Sequence, residues 1–184
     1  MGWLREEFTA LGQDARRRGR VTDEYLEVCR RLWRDEVAEF TGRHYVLPPV
    51  RTGPKPAQHP WPPIWIGGNS AAALQRAVVL GDGLHLIDVS PEETAVRVVE
   101  LRRAEAAAGR AHPLTVSVRK GILVRREERG DDKPLYGTPA QIRRDVEAYA
   151  AAGVDYLVSN LRQAKSIDAL EEALDETARA LLDG

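Results

Sequence analysis

Residues 64–74 have the sequence IWIGGNSAAAL, and this stretch decides the fold class. Its first three residues form a short apolar run of the kind found in buried strands, and two glycines end that run. Asn69 or Ser70 is then placed to cap a helix from Ala71 to Leu80. A strand that leads directly into a helix predicts a β–α unit, and such units build parallel sheets.

The following hundred residues repeat this alternation. Further strands are expected at residues 84–89, 114–124 and 156–159. Further helices are expected at residues 91–108, 139–152 and 167–181, and Ser90 and Thr138 each open a capping box with proline at the first helical position. About four strands joined by helical crossovers predict an α/β fold with parallel strands. The pattern fits either a doubly wound sheet or a (β/α)8 barrel.

The first third of the chain has a different pattern. From Thr22 onward, apolar residues recur on one face of an amphipathic helix, with a run of exposed arginines before it. Between about residues 35 and 63 prolines are dense, which predicts a long ordered insertion without regular helix or central strand. We expect residues 1–184 to form a single domain that contains this insertion.

Composition narrows the classes of function. The chain has 27 Lys and Arg against 28 Asp and Glu, so no general positive field attracts nucleic acid or an anionic membrane. No apolar run approaches the ~20 residues of a membrane span, and no secretory leader is seen, which predicts a cytoplasmic location. One cysteine and four dispersed histidines predict no metal site. Composition therefore predicts a chain without a nucleic-acid or membrane partner.

The turn at Gly67-Gly68-Asn69-Ser70 is the strongest candidate for a binding site. Glycines let a phosphate approach the backbone, and the free amides at a helix N-terminus attract an anion. The alternative is that the glycines only make a tight turn, because the full dinucleotide-binding fingerprint is absent. His85 and Asp88 lie near the end of the next predicted strand, where barrel enzymes place active-site groups, although a histidine satisfied within the core would give the same pattern.

A series of motifs resembles the luciferase-like monooxygenase family, especially its deazaflavin-dependent branch. The matching stretches are GWLREEF at 2–8, ALG at 10–12, RGR at 18–20, TDEYLEV at 22–28, FTG at 40–42, PKP at 54–56, PPIWIGG at 62–68, GDG at 81–83, GTPAQ at 137–141 and GV at 153–154. They occur in order along nearly the whole chain, so the series is far more specific than any single motif.

The resemblance implies an α/β fold of the TIM (β/α)8 barrel type, incomplete here because the family's N-terminal strands are missing. It implies a flavin- or F420-dependent oxidoreductase that acts on a small organic (small-molecule) substrate, with coenzyme F420 as the cofactor and FMN as the alternative. Gly67, Gly68, Asn69 and Ser70 match the family's phosphate-binding turn. No catalytic residue is identified, and Leu84 replaces a tryptophan that is frequent in the family, which predicts the loss of an aromatic wall.

Two other functions fit the same sequence. One is a noncatalytic half-barrel that pairs with a partner chain or with copies of itself, and the other is an unrelated module that binds a phosphate ligand. Whether the chain is an oxidoreductase or a noncatalytic half-barrel, we expect it to form a homo-oligomer or to pair with a partner chain. About four strands cannot close a barrel that requires eight.

Overall fold

The computed structural model describes residue 2 and residues 4–128, 130, 133–161 and 166–182. The chain forms two compact units, Met1–Pro63 and Ile64–Gly184. The elements of the first unit are α1 (Arg5–Ala10), α2 (Arg18–Arg34), β1 (Ala38–Thr41) and β2 (Val46–Val50). In the described part of the chain, no helix is both long and apolar enough to cross a membrane.

The first unit confirms the predicted amphipathic helix as α2. The prediction of an insertion without regular helix or central strand agrees with the structure, but residues 38–50 also contain the unpredicted antiparallel pair β1 and β2. The register shifts between Ala38 and Phe40, so that Pro48 and Pro49 fall at the irregularity. Proline is tolerated at bulges and in edge strands, and both strands of a two-stranded ribbon are edges. Dense proline therefore excluded only a central strand.

A carboxylate holds the connection between β1 and β2. Glu24, on α2, accepts hydrogen bonds from the backbone amides of Arg43, His44 and Tyr45 at 2.9, 2.8 and 2.9 Å. Burial alone would raise the pKa of Glu24, but these three donors favour the ionised form and bring its pKa below the usual value. Three backbone donors around a single side chain thus join the helix and the hairpin of the first unit.

The second unit contains the predicted β–α units. Its elements are β3 (Trp65–Gly67), α3 (Ala71–Leu80), β4 (Gly83–Ile87), α4 (Pro91–Ala107), β5 (Thr115–Gly121), β6 (Leu123–Val124), β7 (Tyr136–Gly137), α5 (Pro139–Ala151), β8 (Tyr156–Asn160) and α6 (Ile167–Leu182). The predicted strand over 114–124 is divided at Ile122 into β5 and β6. Part of the charged segment predicted as a loop at 125–133 lies outside the described residues.

The main sheet is parallel and has the strand order β3-β4-β5-β8. The four strands lie side by side in sequence order, as successive strands do in a (β/α)8 barrel, whereas a doubly wound sheet reverses direction at a switch point. The structure therefore favours the barrel arrangement over the doubly wound one, and the count of four strands matches the prediction.

The two faces of this sheet differ in burial. One face is the core, where apolar side chains lie at or below 6% exposure: Ile66, Leu84, Leu86, Val116 and Val118. Because side chains alternate along a strand, the residues between these point to the opposite face. We call that side the open face, and its residues are Trp65, His85, Ile87, Ser117, Arg119, Tyr156 and Val158. Its aromatic members are accessible, with Trp65 39% and Tyr156 57% exposed.

Candidate functional site

The carboxyl ends of parallel strands meet at one edge of the sheet, which is where α/β enzymes bind their ligands. Two strand-to-helix connections lie at this edge in neighbouring positions. The β3 turn is Gly68-Asn69-Ser70, and the β4 turn is Asp88-Val89-Ser90. The predicted cofactor site comprises the β3 turn together with Gly67, the last residue of β3.

The β3 turn begins helix α3 with free backbone donors. Ser70 is the N-cap, and its hydroxyl oxygen accepts a hydrogen bond from the Ala73 amide at 3.2 Å. The amides of Ser70, Ala71 and Ala72 have no acceptor within the helix, because the first four N–H groups of any α-helix lack one. The first turn of α3 contains no acidic residue. These exposed amides and the helix dipole can therefore bind an anion.

Gly68 matters because it has no side chain, whereas its amide is not available to a ligand. Its amide donates to the His85 carbonyl oxygen at 2.9 Å, which extends the β3–β4 ladder and leaves that donor occupied. Its φ of +135° is a conformation that side chains rarely adopt. A Cβ built at this position would lie 3.2 Å from the Ala73 side chain. Glycine thus allows the chain to turn sharply and keeps the space above the α3 N-terminus open.

Asn69 holds the turn against the next strand. Its side-chain amide donates to the Ile87 carbonyl at 2.7 Å, while its side-chain oxygen accepts from the Ile87 amide at 2.9 Å. Both polar atoms of this side chain are therefore engaged with the backbone at the end of β4. Asn69 positions the N-terminus of α3 instead of presenting its own side chain to a ligand.

The β4 turn is capped by its own acidic residues. Ser90 and Glu93 form a reciprocal capping box, with the Ser90 amide donating to Glu93 at 2.9 Å and the Glu93 amide to the Ser90 hydroxyl oxygen at 3.2 Å. The Ser90 hydroxyl also donates to Glu92 at 2.8 Å and lowers the pKa of that carboxyl. Two carboxylates in the first turn of α4 repel a bound anion.

The side chains of His85 and Asp88 have different hydrogen-bond partners. The Nδ1 atom of His85 is 2.7 Å from the hydroxyl oxygen of Ser117 on β5. Asp88 adopts a positive φ of 54° and accepts from Arg119 at 3.5 Å. Burial, followed by the charge of Arg119, lowers the pKa of His85, so its imidazole is neutral near pH 7. Arg119, which the sequence did not single out, hydrogen-bonds to Asp88 and lies near enough for its charge to act on His85.

The expected loss of an aromatic wall at Leu84 is wrong. Leu84 is 1% exposed and lies in the core, on the face opposite to His85, so a larger residue there would not line the open face. The aromatic surface of the open face comes instead from Trp65, which packs against Tyr156 with ring centroids 5.3 Å apart. Gly83 permits this contact, because a Cβ there would come within 2.7 Å of the indole.

Among the described residues, no group of three side chains of the metal-binding types lies close enough together to hold a metal ion.

The profile described as luciferase-like monooxygenase matches residues 1–129, which is well over half of the chain. The chain belongs to the luciferase-like monooxygenase family. The chain is 29% identical over 130 residues to the FMNH2-dependent dimethylsulfone monooxygenase of Pseudomonas putida. That match covers 69% of this chain but only 35% of the relative, so the chain spans about a third of the length of that protein.

Two solved structures that align with nearly the whole of this chain show the same fold. The monooxygenase RslO1 from Streptomyces bottropensis superimposes with a TM-score of 0.80 at 20% identity, over 99% of this chain and 66% of its own. An F420-dependent secondary alcohol dehydrogenase in complex with an F420-acetone adduct gives a TM-score of 0.76 at 14% identity, over 95% of this chain and 66% of its own. The family resemblance is thereby confirmed, and the α/β fold with a parallel sheet is shared with these luciferase-like structures.

Proposed function

We propose that this chain carries the phosphate-binding part of a flavin- or F420-dependent oxidoreductase that acts on a small organic substrate. The observation that supports this most is the β3 turn, where an α-helix begins with free amides and no acid at the carboxyl edge of a luciferase-like sheet. The amides of Ser70, Ala71 and Ala72 would bind the phosphate. Gly67 and Gly68 leave room for it, and Asn69 holds the turn in place.

The proposed cofactor is coenzyme F420, with FMN as the second candidate. Members of this family and fold use both, since the Pseudomonas putida relative is named as FMNH2-dependent and the alcohol dehydrogenase as F420-dependent. When bound, such a cofactor supplies hydride transfer or oxygen activation, while the protein provides position and electrostatics. Both cofactors carry a phosphate group, so the β3 turn serves either one.

The experiment compares each cofactor with its phosphate-free form. Fluorescence quenching on titration with the chain is measured for FMN against riboflavin and for F420 against its phosphate-free deazaflavin. We expect the phosphorylated form to bind at least tenfold more tightly, and the preferred ring identifies the cofactor. Equal binding of both forms would overturn the phosphate site. Binding of inorganic phosphate without preference for either ring would support the alternative of a general phosphate-binding module.

A second proposal concerns assembly, and the open face supports it. Tyr156 and Val158 are 57% and 42% exposed, and Trp65 beside them is 39% exposed. Four parallel strands form the described main sheet, whereas a closed luciferase-like barrel requires eight. We propose that the sheet is completed by a partner chain or by a second copy, which would make a half-barrel the working unit of the assembly.

Sedimentation of the purified chain tests this proposal. We expect the purified chain to self-associate through the open face or, where it stays monomeric without its partner, to bind a hydrophobic dye there. Val158→Asp should reduce either signal, because it places a charge on the open face at the edge strand β8. Glu172→Gln, on the exposed surface of α6, is a control that should change neither. A compact monomer that unfolds cooperatively and binds no dye would contradict the proposal.

A further inference from the structure

Arg119 lies on the open face with donors to spare. Its single hydrogen-bonded side-chain partner among the described residues is Asp88, at the long distance of 3.5 Å. Its Nε atom is buried and has no hydrogen-bond partner in the described part of the chain. A guanidinium has five N–H donors in a planar fork, so most donors of Arg119 have no hydrogen-bonded partner among the described residues. A buried donor of this kind is costly unless an acceptor arrives.

The neighbours of Arg119 suit a planar anion. His85 lies on the adjacent strand, and its contact with the fully buried hydroxyl of Ser117 at 2.7 Å fixes its ring. Burial and the nearby guanidinium lower the pKa of His85, so the ring stays neutral and adds no second positive charge to the site. Arg119 is therefore the cation of this cluster, and the imidazole beside it is a neutral hydrogen-bonding group.

Apolar side chains adjoin the cluster on the same face. Strand register places Tyr156 opposite Ser117 and Val158 opposite Arg119. Tyr156 also contacts Trp65, so an aromatic surface lies toward the amino ends of the strands while the cation lies toward their carboxyl ends. A molecule with an apolar or aromatic body and a carboxylate at one end matches this arrangement in shape and charge.

We propose that Arg119, flanked by His85 and Ser117, binds the carboxylate of an apolar or aromatic substrate on the open face. This inference rests on the proposed oxidoreductase function, because it names the substrate class of that enzyme. The side-on fork of Nε and one terminal nitrogen matches the two carboxylate oxygens, a geometry that lysine cannot reproduce. The ligand displaces the long contact with Asp88, which is half exposed and returns to water.

The test uses benzoate as the probe and its neutral analogue benzamide as the matched ligand control. Binding to the full chain is followed by NMR of the His85 ring, whose signal is identified by its loss in His85→Asn. We expect benzoate to bind at least tenfold more tightly than benzamide and to shift the His85 signal. Equal affinity for the two ligands, or no shift at His85, would overturn the proposal.

Three variants locate the effect at Arg119. Arg119→Gln should abolish the preference for benzoate, and Arg119→Lys should retain only part of it, because the charge remains but the fork is lost. Arg97→Gln removes an exposed arginine paired with Glu100 on α4 and should bind benzoate like the parent. If Arg119→Gln keeps the full preference while its circular dichroism matches the parent, the carboxylate site is wrong.

The same samples separate this inference from the function on which it rests. Loss of benzoate binding in Arg119→Gln with an intact preference for FMN over riboflavin, or for F420 over its phosphate-free form, supports both ideas. An Arg119-dependent benzoate site without any phosphate preference would retain the subsite and contradict the cofactor proposal. A phosphate preference without benzoate binding would support the cofactor proposal and overturn the carboxylate site.

Discussion

The β3 turn and the β4 turn share a backbone plan but differ in charge. Each leads from a strand into a helix through a serine N-cap, Ser70 in one case and Ser90 in the other. The β4 turn adds a proline, two glutamates and a reciprocal capping box, so the N-terminus of α4 is satisfied by its own chain. The β3 turn adds only alanines, and the N-terminus of α3 keeps its positive end exposed.

This difference shows that two similar turns can have different roles. One stabilises its helix with its own carboxylates, and the other leaves its helix N-terminus available to a ligand. Carboxylates near a helix N-terminus stabilise it by roughly 0.3 to 1 kcal/mol each, and α4 uses that gain. Helix α3 lacks it, and the same unneutralised dipole is available to an external phosphate. A helix that caps itself stabilises the fold, whereas one that leaves its first turn free can bind an anion.

Gly68→Val is the change with the largest expected effect on the comparison. Valine is strained at a φ of +135°, which costs roughly 1 to 3 kcal/mol of folding free energy, and its side chain obstructs the turn. We expect the phosphorylated cofactor to bind at least tenfold more weakly, which corresponds to ~1.4 kcal/mol. The measurement is fluorescence quenching by the folded fraction, together with urea unfolding.

Gly109→Val is the matched control, because Gly109 also has a positive φ, of 65°, and lies at the end of α4, away from the β3 turn. It should lose comparable stability without any loss of cofactor affinity. If both variants lose affinity equally, the effect of Gly68→Val comes from folding alone. Unchanged affinity in a folded Gly68→Val variant would make the β3 turn purely structural.

Paired substitutions of the N-cap serines should produce the next largest effect. Ser70→Ala and Ser90→Ala each remove a cap and should each cost about 1 kcal/mol of unfolding free energy. Only Ser70→Ala should also reduce phosphate-dependent binding, and by less than Gly68→Val, because the backbone amide remains. Chemical denaturation and cofactor titration of both variants provide the test. Equal binding losses in the two would remove the distinction between the turns.

The local elements were predictable because their signals are local. The caps at Ser70, Ser90 and Thr138 and the alternation of strands with helices determine the helices of the second unit, and each forms where expected. The hairpin of β1 and β2 was not predicted, because its prolines lie at a register irregularity that only the paired structure reveals. Strand order was also left open, since periodicity carries no information about which strands are neighbours.

The site was predictable only in part, for a different reason. Glycines followed by a helix cap point to the β3 turn, but the sequence does not show that the Gly68 amide is taken by His85 or that Asn69 binds Ile87. Arg119 was overlooked because an arginine in a strand is commonly a solvated edge residue. Its position opposite Ile87, on the open face, depends on the pairing of β4 with β5.

The smallest expected effect comes from exchanging charge between the two turns. Ala72 and Glu92 occupy the same position, two residues after the N-cap, in α3 and α4. Ala72→Glu should therefore stabilise α3 by about 0.3 to 1 kcal/mol, because its carboxylate lies at the positive end of the helix. The same carboxylate should lower the affinity for the phosphorylated cofactor several-fold. Glu92→Ala should do the opposite to α4, lowering stability slightly without affecting cofactor binding.

Ala72→Gln distinguishes charge from size in this exchange, since it has the same shape as glutamate without the charge. Its cofactor affinity should stay close to that of the parent. The effect of Ala72→Glu should also shrink in 0.5 M salt, because exposed charges are screened over a Debye length well below 10 Å at that ionic strength. Should glutamine weaken binding as much as glutamate does, the β3 turn would discriminate by space rather than by charge, and the contrast between the two helix N-termini would not explain anion binding.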